Sequence, residues 1–395
     1  MAHIYNNPKG GAPSTIGAQA VTDYYYKKAL IAVRDQMFFS PLADVRAMPK
    51  HMGKQIKQDV YVPLLDDRNS TDQGLDASGV SYAHGNLYGS SKDTGTIMAK
   101  IPSLTENGGR VNRVGFTRLQ ITGELYKRGF FTEYTQESLD FDSDAELLSH
   151  ITEEALVGAN ELTEAELQAD LITNATANGT AYYMGGTTKK TVDSVVGYND
   201  LMNLSIALDN NKTPKQTTVI KGSRMIDTRT INGGRVMYLG SELIPVLRAM
   251  KDLHGNPAFI SIEKYADAGN TINGEIGTVD QFRIVVVPEM QYSAGGGAAF
   301  EDVEGDGTTG ADIYPMLVVG DGSFTTIGFQ TDGKTTKFVV YHKKPGIETA
   351  DRNDPYGEKG FWSIKWYYGF MALRPERLGI IWTCLTKLGA DPSAT

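Results

Sequence analysis

The sequence predicts an α+β chain, and three observations carry that reading. One long stretch, Asp140 to Asn174, has apolar residues at helical spacing. Ahead of it, two strand-like stretches bracket a long polar excursion over 53–128. Behind it, short helical and strand-like runs alternate, and the chain closes on aromatic and β-branched runs that read as sheet. With 395 residues, 41% hydrophobic and 22% charged, the composition is that of a globular protein with a large core.

Residues 1–20 are rich in Gly, Pro, Asn and Ser, carry no apolar period and read as an extended arm. Thr22 or Asp23 then opens a helix, with Val21, Tyr24, Tyr25, Ala29, Leu30 and Val33 at helical spacing, and Ser40-Pro41 stops it. Val60, Val62 and Leu64 alternate like a strand. Leu65 to Thr94 is turn chemistry (DDRNSTDQG, DASG, HGN, GSSKDTG), and Arg113 to Tyr126 is strand-like again. Two such arms around a polar tip predict an oversized hairpin, a loop long enough to imply a functional or intermolecular role.

In the long helical stretch Leu148, Ile151, Ala155, Gly158, Leu162, Ala165, Ala169 and Ile172 alternate three and four apart, a heptad-like stripe. Asp142, Asp144 and Glu146 sit at its start, where the helix dipole favours negative charge. Residues 175–190 read as a Gly/Thr loop and a boundary. Beyond it, Asn199–Asp209 and Ser241–Asp252 read as helices, the latter with Leu243, Ile244, Leu247 and Met250 on one side. The continuous apolar run Phe282–Val287 reads as a strand covered on both faces. Ala294–Gly310 is a Gly-rich loop; Met316–Val319, Ser323–Phe329, Thr335–Tyr341, Phe361–Met371 and Leu378–Leu385 are strands.

Several function classes are excluded or disfavoured. No apolar run approaches the ~18 residues of a membrane span. The N-terminal MAHIYNNPKGGAPST lacks a basic region followed by an apolar stretch, so no secretory signal is expected. Cys384 is the single cysteine, which excludes a disulfide framework and a cysteine-based zinc site; in the apolar IIWTCL it reads as buried and structural. A net charge of −9 argues against a tight grip on nucleic acid, which needs basic patches.

The chemical motifs each have a plainer reading. GFQTDGKT, Gly328 to Thr335, matches the phosphate-loop pattern and makes a nucleotide-binding enzyme the alternative function. That loop must open a helix, whereas TKFVVYH reads as strand and Asp332-Gly333 is a favoured hairpin turn. GDGTTG, Gly305 to Gly310, matches a dinucleotide pattern without the flanking strand and helix it requires. Asp302, Glu304 and Asp306-Gly307 resemble the first half of a calcium loop, but Ile313 stands where the bidentate Glu belongs. The histidines, His3, His51, His84, His150, His254 and His342, show no ligand spacing. No catalytic residue, cofactor or metal is expected.

Charge is more informative. Between Gly129 and Thr188 there is no Lys or Arg, while Glu133, Glu137, Asp140, Glu153, Glu154, Glu161, Glu164, Glu166 and Asp170 are among its acids. The preceding arm carries Arg110, Arg113, Arg118, Lys127 and Arg128. Two readings stand side by side: solvated faces, or charge complementarity between copies of the chain. On the second, these basic residues, with Val114, Phe116 and Leu119, form an inter-subunit interface.

Long phrases resemble one family. FFSPLADVRAMPKHMGK, YVPLLDDRNSTDQG, GFFTEYTQESLDFDSDAEL, VMYLGSELIPVLRAMKD, YPMLVVGDGSFTTIGFQTDGK and HKKPGIETADRNDPYGEKGFWSIKWYYGFMALRPERL are similar to the major capsid family of tailed double-stranded DNA bacteriophages first defined in N-four-type podoviruses. The resemblance runs from about residue 20 to about residue 382. It implies the Johnson fold shared with herpesvirus capsid floors. In that fold's terms 1–22 is the N-terminal arm, 23–52 the first part of the peripheral domain and 53–128 the E-loop. Residues 129–190 are then the peripheral domain with the spine helix, 191–345 the axial domain, and 346–395 the return to the peripheral domain and a tail. The implied function is a virion structural protein, assembled in the host cytoplasm as pentamers and hexamers into an icosahedral shell. The implied partners are copies of itself, a separate scaffold protein, a portal, a decoration protein and packaged DNA bound without specificity, with no membrane.

Overall fold

A computed structural model describes residues 37–49, 51–62, 116–141, 147–221, 227–264, 272, 274–298, 310–331, 334–335, 338–347, 350 and 352–385. In chain order its first elements are β1 (Asp44–Met48), β2 (Gln55–Tyr61), β3 (Arg118–Thr135), α1 (Gln136–Phe141), α2 (Leu147–Asn178), β4 (Thr180–Tyr183) and α3 (Tyr198–Asn210). Then come β5 (Gln216–Lys221), β6 (Asp227–Asn232), β7 (Arg235–Leu239), α4 (Ile244–Ala249), β8 (Phe259–Ser261), β9 (Glu275–Val279) and β10 (Phe282–Val286). The last are β11 (Ile313–Val319), β12 (Phe324–Thr331), β13 (Lys334–Thr335), β14 (Phe338–Lys343), β15 (Lys359–Ala372) and β16 (Leu378–Cys384). The described residues divide into two compact units, one drawn from 129–162 and 340–364, the other from the remaining described residues.

The larger unit is built on a seven-stranded sheet of order β4-β16-β11-β7-β10-β9-β8. Its central strands are β-branched and aliphatic, and every residue of β7, β11 and β16 is buried. Each fully buried Val, Leu, Ile or Met side chain among them contributes about 1.5–3 kcal/mol, so this sheet is the main core. The FRIVVV run is indeed a strand covered by neighbours, parallel to β7 and antiparallel to β9. The C-terminal strand β16 lies between β11 and β4, inside this sheet.

A second sheet has the order β1-β12-β15-β3-β2, with β13 on β12 and β14 on β15. Met48, Leu125, Ile327 and Met371 pack together within it. β2 and β3 pair antiparallel from Gln55↔Glu124 to Tyr61↔Arg118, the base of the expected hairpin; its tip, 63–115, lies outside the described residues. In the smaller unit the hydroxyl of the buried Tyr134 shares a hydrogen bond with His342 Nε2, and Phe130 meets Trp362 at 6.3 Å between ring centroids.

Several boundaries differ from expectation. The helix expected over 22–40 lies mostly outside the described residues, and Ser40–Leu42 is a short 3-10 turn carrying Pro41. The strand expected at 113–126 runs on to Thr135, because β15 gives it a second partner. The long helix is α2, 32 residues or ~48 Å. Its buried residues are Ala159, Leu167, Gln168, Leu171, Ile172 and Ala175, whereas Leu162 of the expected stripe is 44% exposed. Residues 175–190 are not a loop: α2 continues to Asn178 and β4 pairs with β16. Gly179 permits this turn, since a Cβ there would lie 2.7 Å from the Leu378 carbonyl oxygen. The helix expected over Ser241–Asp252 is a 3-10 turn followed by six α-helical residues, ending where Met250 turns extended.

Candidate assembly surface

The hairpin base presents its polar groups to its own strands. Arg118 Nη1 lies 3.5 Å from Asp59 Oδ2, and Gln120 donates to Asp59 Oδ1. Beside them stand unburied apolar side chains. The Tyr61 and Phe116 rings meet at 5.4 Å between centroids, tilted by 33°, and are 59% and 60% exposed; Leu119 is 54% exposed. Leaving such a group open to water costs free energy unless something covers it.

The second half of α2 carries acids that hold other segments. Glu164 Oε1 accepts the backbone N–H groups of Phe38, at 2.8 Å, and Phe39, at 2.5 Å. Its Oε2 accepts the Ser40 N–H at 3.1 Å and the Ser40 hydroxyl. Glu166 Oε1 lies 2.6 Å from Arg128 Nε on β3. Asp170 Oδ2 accepts the Tyr368 hydroxyl of β15 at 2.7 Å. Partial burial raises the Asp170 carboxyl above its ordinary range, against the opposing pull of Tyr368 and Arg128. The Tyr368 phenol is pushed up by burial and by its bond to Asp170. These groups border a cavity of about 420 Å³ with Glu124, Tyr126 and Phe370.

The interface residues expected from the sequence therefore separate. Arg128 meets the acidic stretch, but within its own chain, and Arg118 is engaged by its own Asp59. Lys127, Phe116 and Leu119 are exposed. Arg110, Arg113 and Val114 lie outside the described residues. The part played by Glu164 had no sequence signal, because its backbone partners are about 125 positions away.

The phosphate-loop match is a hairpin. Thr331 pairs with Lys334 and Gln330 with Thr335, and strands β13 and β14 follow where a helix would be required. Both the dinucleotide and the calcium-like stretches fall almost wholly outside the described residues, as do His3 and His84. Among the described residues no group of three His, Cys, Asp or Glu side chains converges on a metal position. Cys384 is buried, its thiol pushed up to about 11 by burial, and Sγ donates to the Val192 carbonyl.

The backbone matches the capsid of Ralstonia phage GP4 with a TM-score of 0.54 at 10% identity, over 97% of this chain and 100% of that one. It matches the cyanophage Pam1 capsid equally, 0.54 at 11% identity, over 96% and 100%. The α+β architecture is thus that of phage capsid proteins, the Johnson fold. The family model for phage capsid proteins matches residues 119–383, and the major capsid protein of Pseudomonas phage KPP21 is 59% identical over 385 residues, 96% of each chain. The chain belongs to the phage capsid protein family: it is a structural component of a virion capsid and not an enzyme.

Proposed function

We propose that this chain is the shell subunit of an icosahedral head, associating with copies of itself as pentamers and hexamers around double-stranded DNA. The observation that carries this reading is the 59% identity, over nearly the whole chain, to a phage major capsid protein. The exposed Tyr61, Phe116 and Leu119 group at the hairpin base supports it, since copies of the chain would cover it. On this reading 1–22 is the arm, 53–128 the E-loop and α2 the spine helix. The interface comprises Arg110, Arg113, Arg118, Lys127, Arg128, Val114, Phe116 and Leu119, with apolar contacts supplying most of the energy. A net charge of −9 suits a wall that encloses DNA without gripping it. A scaffold protein, a portal and a decoration protein complete the particle, which assembles in the host cytoplasm. Electron microscopy of the purified protein tests this: closed shells with five-fold and six-fold capsomers are expected, and a uniformly monomeric protein under all assembly conditions would refute it.

A further inference from the structure

We infer that Glu164 is a latch that fixes the root of the N-terminal segment on the long helix, and that shell assembly depends on this latch. The inference rests on the shell-subunit reading for its second half only.

Four donors converge on one carboxylate: three consecutive backbone N–H groups, of Phe38, Phe39 and Ser40, and the Ser40 hydroxyl. Both carboxylate oxygens are used, one for Phe38 and Phe39, the other for Ser40. Three successive N–H groups form an anion-binding concavity, and here the chain supplies the anion itself. Hydrogen bonds to an ionised acceptor are among the stronger kind, and this group makes four. The neighbouring packing holds the same point. Phe39 is 1% exposed, and its ring lies 5.0 Å from that of the buried Tyr238.

The consequence concerns what precedes Met37. The first 20 residues carry no apolar period. On the shell-subunit reading, such a segment contributes to a shell through contacts with other copies, and those contacts require a fixed point of departure. Glu164 supplies that point. It is a positioning residue for assembly, acting through the segment it holds.

The test uses full-length subunits carrying Glu164→Ala, Glu164→Gln or Ser40→Ala. Trypsin cleavage after Arg34, three residues before Met37, reads release of the root. Near-ultraviolet circular dichroism confirms folding, and light scattering reads shell formation. Glu164→Ala should speed Arg34 cleavage by about tenfold or more, the ratio expected from losing a charge-assisted hydrogen bond. It should also lower shell yield while the circular dichroism is kept. Glu164→Gln should fall between it and the native protein, because the amide keeps one acceptor but turns a donor toward a donor. Ser40→Ala should show a smaller effect in the same direction, and it decides the matter if Glu164→Ala does not fold. Unchanged Arg34 cleavage in folded Glu164→Ala, or in Ser40→Ala should Glu164→Ala misfold, overturns the latch. Faster cleavage with normal shells overturns its role in assembly. If the native protein itself builds no shells, the shell-subunit reading fails, while the cleavage rates still decide the latch.

Discussion

At the scale of single residues, the acids in the second half of the long helix are fasteners more than solvated charges. Glu164 takes a backbone segment, Glu166 takes Arg128, and Asp170 takes Tyr368. Asp170 has a pH signature. Burial raises its folded-state pKa above the unfolded value, so the folded state binds this proton more readily. The group therefore costs stability when ionised, and that cost is relieved as pH falls through the raised folded value toward the ordinary carboxylate range. Tyr368→Phe deletes the hydrogen bond that opposes the shift. The carboxyl should then rise further, and the midpoint of thermal unfolding should drop more at pH 7 than at pH 4.5. At neutral pH the loss should be about 1.5–3 kcal/mol, for a hydrogen bond to a charged group. Asp170→Asn, which keeps an acceptor for the phenol and removes the charge, should flatten the dependence. A Tyr368→Phe loss that is equal at the two pH values would assign the effect to packing of the ring alone.

At the scale of elements, the helix shows where sequence reading succeeds and where it stops. Its existence was legible from spacing, and so were β7-adjacent strands such as FRIVVV and the closing strands, because apolar runs of that length have few alternatives. Its buried face was legible only in part, at Ile172. Small residues are scattered around the cylinder, among them Ala155, Ala159, Ala165, Ala169 and Ala175, so several stripes can be drawn. The stripe through Leu162 and Ala165 satisfies heptad spacing, yet burial follows Leu167, Leu171, Ile172 and Ala175. Leu171→Ala should therefore cost about 2–5 kcal/mol in denaturant unfolding, as a fully buried leucine does. Leu162→Ala should stay within about 0.5 kcal/mol, as an exposed position does. Comparable losses at both would restore the heptad face. Fasteners were illegible for a different reason: Arg128 and Glu166 are 38 positions apart, Tyr368 and Asp170 are 198, and no local pattern joins them. The charge bias of 129–188 did point to a basic complement. It could not say that part of that complement, Arg128, is met within the same chain.

At the scale of the whole molecule, the question is what drives copies together, and the charges and the apolar groups predict opposite responses to salt. Each subunit carries −9, so copies repel one another at long range. The basic residues that would offset this across an interface are partly committed, Arg118 to Asp59 and Arg128 to Glu166. Exposed ion pairs are worth ~0–1 kcal/mol each, and salt weakens them further. Tyr61, Phe116 and Leu119, each only a little more than half exposed, offer about 1–2 kcal/mol apiece if fully covered. Burial should therefore dominate, and salt should help it by screening repulsion over a Debye length that falls from ~30 Å at 0.01 M to ~8 Å at 0.15 M. Shell formation followed by light scattering should thus begin at lower protein concentration as salt rises across that range. Phe116→Ala with Leu119→Ala should raise the threshold concentration more than Lys127→Ala does at every salt level. Assembly that weakens steadily with added salt, with Lys127→Ala the more damaging change, would show instead that ion pairs between copies hold the shell.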